Sequence, residues 1–265
     1  MVNQTIQALT IAGTDSGGGA GIMADIKTME ACHVFSAAIV VAVTAQNTLG
    51  VQDFTTIPTK IINEQFTSIN SDFKIRACKT GMLANPLVVN TVADNLKKYN
   101  FGPLIVDPVI VAKGGSVLLS QKAVITLKEK LLPLATVVTP NLPEAEKLSG
   151  IKINNQEKVL LAAKKLRKLG TKNIIIKGGH TKEKTSSDFV LLENGKSFWM
   201  SSPRINTKRT HGTGDTLSSC ITAEIAKGNN VETAIKIGKK YIQATIEQGI
   251  QVGHGHGPLN HWAKI

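Results

Sequence analysis

The chain has 265 residues, 42% of them hydrophobic, with 31 basic and 19 acidic side chains for a net charge of +12, a length and apolar content that suit one core and a single domain over 1–265. The basic surplus does not point to nucleic acid: the only arginines are Arg76, Arg167, Arg204 and Arg209, aromatics make up 4%, and no basic stripe alternates with stacking rings. Cys32, Cys78 and Cys220 sit in apolar contexts without a CxxC pair, residues 37–45 are too short an apolar run to cross a membrane, and no basic-then-apolar leader is present, so reduced thiols and a cytoplasmic location are expected.

Short β-branched runs alternate with helical patterns, which argues for βα units and a largely parallel sheet. Residues 8–12 read as a first strand that breaks into the glycine-rich run 13–21, and a helix follows over 22–32. An apolar strand is expected over 37–44, then a helix over 61–69, a strand over 75–79 and a helix over 87–99. Strand 104–107, helix 124–131 stopped by Pro133, and strand 136–139 come next. Asn141 can cap a short helix to 149, with Pro143 and Glu144 in its first turn. An amphipathic helix over 156–169 ends at Gly170, strand 173–177 follows, and 189–192 with 197–200 form a hairpin across Asn194-Gly195. Helices over 216–227 and 231–247 close the series. The fold class is α/β, three layers deep, with a mostly parallel central sheet flanked by helices and a small β-hairpin at its edge.

The richest stretch chemically is Thr210-His211-Gly212-Thr213-Gly214-Asp215-Thr216. Its glycines let backbone N–H groups converge at a helix start, where the dipole and unpaired donors attract anions. An acid beside such a cradle can take a proton from a hydroxyl held next to a bound phosphate, the minimum equipment for phosphoryl transfer to an alcohol. The competing reading is a glycine-rich turn whose first-turn acid only favours the dipole. His211 is a rival base, but beside a glycine nest it suits loop positioning better.

In sheets of this kind ligands sit at the carboxyl ends of the strands. That brings the run 13–21, Gln46-Asn47-Thr48, Lys79-Thr80-Gly81-Met82-Leu83, Asp107-Pro108, Asn141-Leu142-Pro143-Glu144 and Lys177-Gly178-Gly179-His180 to one rim. Lys177 can neutralise phosphates. Asn141 and Glu144, a helical turn apart, can hold Mg²⁺ through its water shell, or can simply form a capping box. Neither a Walker loop nor a dinucleotide fingerprint is present: Val190 stands where a glycine should precede Gly195-Lys196-Ser197, and the first glycine run has the wrong spacing. His254 and His256 suggest a metal clip, but with no third ligand a mobile terminal loop is expected.

Ala12-Gly13-Thr14-Asp15, Gly18-Gly19-Ala20-Gly21-Ile22, Ala24-Asp25-Ile26-Lys27-Thr28, Thr44-Ala45-Gln46-Asn47-Thr48 and Lys79-Thr80-Gly81-Met82-Leu83 resemble the hydroxymethylpyrimidine/phosphomethylpyrimidine kinases of the ribokinase-like superfamily. Asp107-Pro108-Val109, Lys113-Gly114-Gly115, Thr139 to Glu144, Lys177 to His180 and Asn206 to Gly214 continue the match over nearly the whole chain. The resemblance implies transfer of the ATP γ-phosphoryl to 4-amino-5-hydroxymethyl-2-methylpyrimidine and then to its monophosphate, in thiamine biosynthesis. It implies that Gln46, Gly13, Asp25, Met82 and Val109 meet the pyrimidine, although a methionine such as Met82 is more often plain core packing. It assigns Lys177, Thr210, Gly212, Thr213, Gly214 and Asn141 to ATP, Asn141 and Glu144 to Mg²⁺, and implies a homodimer.

Two departures from the family pattern stand out. Asp215 occupies a position where these kinases generally carry cysteine, whereas the wider superfamily uses aspartate there as catalytic base. Ser16-Gly17 replaces the usual proline-serine pair. A pyridoxal kinase of the same lineage is the alternative function, though some of those enzymes use that cysteine with a second one near Ala112. A non-catalytic pyrimidine-binding protein is a third reading, disfavoured by the intact Asp215 and glycine nest.

Overall fold

The computed structural model describes residues 4–111, 119–179 and 184–265. Strand β1 (Gln7–Gly13) is buried along its whole length, as a central strand covered on both faces should be. It passes through the glycine-rich loop into helix α1 (Gly21–Ala31). Strands β2 (Phe35–Asn47) and β3 (Gly50–Thr56) form an antiparallel arm, followed by α2 (Thr59–Asp72), β4 (Ile75–Thr80), α3 (Pro86–Lys98) and β5 (Leu104–Val106). Helix α4 (Gln121–Thr126) leads through a π-helical turn (Leu127–Leu131) and a 3-10 turn (Leu132–Leu134) to β6 (Val137–Val138). Then come α5 (Leu142–Ser149), α6 (Gln156–Arg167), β7 (Asn173–Ile176), the hairpin β8 (Thr185–Leu191) and β9 (Ser197–Pro203), α7 (Thr213–Ala226) and α8 (Val231–Glu247).

One nine-stranded sheet results, ordered β3-β2-β1-β4-β5-β6-β7-β8-β9. The strands from β2 to β7 run parallel, and antiparallel pairing is confined to the two edges. Helices α2 to α6 bury Phe66, Val92, Ala123, Leu148 and Leu166 against one face of the sheet. Helices α1, α7 and α8 cover the other with Met29, Cys220, Ile221 and Ile235. The three-layer α/β expectation therefore holds, including the hairpin across Asn194-Gly195, where Gly195 takes φ +89°.

Three differences from the expectation have local causes. Strand β3 was not foreseen, because its sequence GVQDFTT shows no apolar alternation and is largely exposed; it exists by pairing with the end of β2, which runs on past the predicted residue 44. The expected helix over 124–131 starts earlier, at Gln121, and finishes in a π turn up to Leu131 followed by a 3-10 turn that contains Pro133. The terminal run is not left loose: His256 N–H donates to the Thr48 carbonyl at 2.8 Å, and His211 N–H donates to the Gly257 carbonyl at 3.2 Å. Among the described residues no group of three or more His, Cys, Asp or Glu that could hold a metal occurs there or elsewhere.

Phe66 is fully buried on α2 against Phe101, with ring centroids 6.0 Å apart. Phe66→Ala is expected to lower the unfolding free energy by about 3–5 kcal/mol, measured by urea denaturation, while turnover of the remaining folded protein stays normal.

Candidate active site

Every parallel strand delivers its carboxyl end to the same rim, and a cavity of about 1150 Å³ opens along it. Gly13, Gln46, Met82, Val109, Asn141, Glu144, Lys177, Thr210, Gly212, Thr213, Gly214 and Asp215 all line this cavity. The loops of β1, β2, β4 and β5 supply one set of walls, and those of β6, β7 and the start of α7 supply another.

The start of α7 differs from its neighbours. Helices α3, α6 and α8 begin with an asparagine whose side chain caps a first-turn amide. Helix α7 begins at Gly212, in the left-handed region at φ +81°, with no side-chain cap. Its first intrahelical bond runs from Thr216 N–H to the Gly212 carbonyl at 2.9 Å, so the amides of residues 213–215 have no partner within the helix. Glycine is required here twice over. A Cβ on Gly212 would run into the Gly19 carbonyl, and one on Gly214 would lie 2.8 Å from Asp107 Oδ2 and 3.1 Å from Lys177 Nζ. The nest is thus open to an anion and flanked by a cation.

Beneath it lies a chain of buried charges. Lys79, at the end of β4, has no exposed surface; its Nζ lies 2.6 Å from Asp25 Oδ1 and 3.7 Å from Asp215 Oδ1. Burial works against its charge, but Asp25 and Asp215 outweigh that and hold the ammonium above the ordinary lysine value. Burial in turn pushes the Asp215 carboxyl up to about 6, with the Lys79 charge limiting the rise. Lys177 Nζ pairs with Asp107 Oδ1 at 2.8 Å. Burial opposes its charge too, yet Asp107 and Glu144 keep it protonated.

Asp25 is the one predicted site residue that the structure sets elsewhere. Its carboxylate is fully buried under the cavity and accepts from Thr10 Oγ1, Lys79 Nζ and Ser219 Oγ, each at 2.6 Å. With its lone pairs so engaged it does not line the pocket. Asn141 and Glu144 form the capping box: Asn141 Oδ1 accepts from Glu144 N–H at 2.9 Å, and Glu144 Oε2 accepts from Asn141 N–H at 2.8 Å. Burial pushes Glu144 up to about 7, Lys177 opposing and Asp107 adding to the rise.

The donor set fits Mg²⁺ in one manner only. Among the described residues no cluster of three His, Cys, Asp or Glu ligands exists, so an all-protein cage is absent. A buried carboxylate that resists ionisation, close to a second one in Asp107, is nonetheless stabilised by a hard cation. Magnesium needs only one or two carboxylates beside phosphates and waters.

Three polar residues here, Lys79, Asp107 and Asp15, carried no role in the sequence reading, and His211 was expected to position the loop. Lys79 was marked only by being a charge at the end of an apolar strand, and Asp107 likewise follows the buried β5. Asp15 accepts from Gly17, Gly19 and Ala20 N–H, shaping the first glycine loop. His211 Nε2 lies 2.9 Å from Asp15 Oδ2 and 3.0 Å from the Gln46 side-chain amide. The Ser16 departure has a structural use: its hydroxyl donates to the Gln46 carbonyl at 2.7 Å and accepts from Gln46 N–H at 2.8 Å. Ala112, Lys113-Gly114-Gly115 and His180 lie outside the described residues.

An open helix start with a buried carboxylate in its first turn, on the carboxyl rim of this sheet, defines a small-molecule kinase of the ribokinase-like class. Residues 15–260 match the family model described as phosphomethylpyrimidine kinase. The hydroxymethylpyrimidine/phosphomethylpyrimidine kinase of Haemophilus influenzae is 53% identical over 260 residues, covering 97% of both chains. That of Bacillus subtilis is 43% identical, covering 97% of this chain and 95% of its own. Among solved structures, an ADP complex of Bacillus subtilis pyridoxal kinase superposes with TM-score 0.91 at 35% identity, covering 98% of both chains. A phosphomethylpyrimidine kinase from Clostridium difficile gives TM-score 0.80 at 39% identity, covering 90% of this chain and 98% of that one. The chain belongs to the phosphomethylpyrimidine kinase family.

Lys79→Met leaves Asp25 and Asp215 buried without their shared cation. It is expected to cost about 3–5 kcal/mol of stability, read from urea unfolding at neutral pH. A loss below about 1 kcal/mol would show that the pair is not the support described here.

Proposed function

We propose that Asp215 is the general base of a kinase that transfers the γ-phosphoryl of ATP to 4-amino-5-hydroxymethyl-2-methylpyrimidine and then to its monophosphate. The hydroxymethyl O–H gives its proton to the Asp215 carboxylate as its oxygen attacks the γ-phosphorus, and the bond to the bridging oxygen breaks to release ADP. The amides of residues 213–215 and the Lys177 ammonium receive the charge that builds on the transferred group. Thr210 and Asn141 border the nucleotide side of the cavity, while Gln46, Gly13, Met82 and Val109 border the pyrimidine side. Asp25 acts from below by holding Lys79. Glu144 and Asn141 would hold Mg²⁺ through water, and the ion would offset phosphate charge. The observation that carries this reading is a carboxylate in the first turn of a helix start without a side-chain cap, lining the cavity 3.7 Å from a buried ammonium.

The protein is further read as a cytoplasmic homodimer. Among the described residues no helix is long and apolar enough to cross a membrane. The arm formed by β2 and β3 exposes Val43, Leu49 and Phe54, side chains suited to a self-complementary contact. Light scattering on the purified protein tests the dimer.

Asp215→Asn is expected to keep ATP affinity, measured by calorimetry, and to lower kcat by about a hundredfold or more. Near-normal turnover would remove Asp215 from the role of base. The base works only when ionised, so kcat/KM of the wild type is expected to rise with pH through about 6 and level off above it. The limb should vanish in Asp215→Asn. Parallel assays with the pyrimidine, its monophosphate and pyridoxal test the acceptor: preferred phosphorylation of pyridoxal would overturn the pyrimidine assignment.

A further inference from the structure

His211 Nε2 has two polar neighbours, Asp15 Oδ2 at 2.9 Å and the Gln46 carboxamide nitrogen Nε2 at 3.0 Å. One ring nitrogen carries at most one hydrogen. Asp15 is nearly buried and accepts only: Oδ1 takes Gly17 N–H, and Oδ2 takes Gly19 and Ala20 N–H. Burial works to raise its carboxyl, but the His211 hydrogen bond and these amides outweigh that and hold it below the ordinary value. A bare nitrogen lone pair facing this carboxylate would be repelled, so the hydrogen resides on Nε2.

That settles what Gln46 turns toward His211. Two donors do not face one another, so the amide NH₂ cannot point at an N–H; a half-turn about the last side-chain bond brings Oε1 there instead, where it shares the one hydrogen on His211 Nε2 with Asp15 Oδ2. The Gln46 NH₂ then faces the cavity. The backbone of Gln46 is pinned as well, by the two-way bond with Ser16.

We propose that His211, held by Asp15, is a specificity-determining positioning residue that locks the Gln46 carboxamide in one orientation and thereby favours an aminopyrimidine edge over that of pyridoxal. An amino donor beside a ring-nitrogen acceptor matches a carboxamide fixed oxygen to one side and nitrogen to the other. Pyridoxal presents an aldehyde oxygen beside a phenol, which asks for the reverse order. A carboxamide free to turn over serves both; a locked one rejects the second by leaving like poles opposed. The inference rests on the assignment of Gln46 to the acceptor ring.

The test compares kcat/KM for the pyrimidine and for pyridoxal in wild type, His211→Phe, His211→Gln, Gln46→Leu and the double variant His211→Phe/Gln46→Leu. His211→Phe removes the N–H and is expected to lower the pyrimidine-to-pyridoxal ratio by about tenfold. His211→Gln, which keeps a donor, should restore most of the ratio. In the Gln46→Leu background the loss of His211 should have no further effect on the ratio. Additive effects in this cycle overturn the lock. If Gln46→Leu alone leaves the ratio unaltered, the assignment of Gln46 has failed and the inference with it. An altered ratio in Gln46→Leu with none in His211→Phe overturns the inference alone. Nitrogen NMR of the wild-type imidazole supplies a check that no variant's folding can spoil: Nε2 of residue 211 must be protonated, and a neutral ring protonated only at Nδ1 overturns the proposal.

Discussion

A lysine ammonium with no exposed surface governs the geometry of this site. Lys79 can remain charged at the end of β4 only because α1 brings Asp25 to 2.6 Å and α7 brings Asp215 to 3.7 Å. Both helices are therefore drawn onto the same strand end. Thr10 and Ser219 complete the ring around Asp25, so the nearer carboxylate is saturated while the farther one still faces the cavity. A carboxylate with one free side, as the proposed base requires, is the outcome of that asymmetry. The same cation makes sense of an aspartate at a position where the family resemblance leads to the expectation of cysteine. A neighbouring ammonium favours the ionised form of either acid, thiol or carboxyl, so the position tolerates both.

The donor and acceptor sides of the cavity are not independent walls. Gly212 packs so closely on the Gly19 carbonyl that neither loop has space for a side chain there, and His211 reaches across to Asp15. The anion nest and the first glycine loop therefore form one packed body. Ser16 extends that body to the end of β2. The residues proposed to meet the ring and those proposed to hold the phosphate therefore share one set of contacts.

Much of this was legible in the sequence, because buried parallel strands are continuous apolar runs and their ends are polar loops with glycine. The helix start at Gly212 could be read for the same reason: glycines, then an acid, then apolar helical spacing. Asp25 was misjudged although a signal existed. It shares the inward face of α1 with Ile22 and Met29, three residues before it and four after, both buried, and a residue on such a face meets the sheet, not the pocket. The Asn141–Glu144 spacing was ambiguous in principle, since a capping box and a water-mediated cation site use the same two side chains. The pairing of His211 with Asp15, 196 residues apart, left no local trace. Strand β3 was hidden because pairing with a neighbour, not apolar patterning, makes it a strand.

The strap formed by residues 253–258 bears on how the enzyme is made. Thr48 near the start of the chain and His211 far along it are both tied down by backbone groups of this last segment. During vectorial synthesis the sheet can begin to assemble early, but the rim cannot acquire its final shape until these residues clear the ribosome. Residues 253–258 thus complete a crevice that the strand ends alone would leave half-built.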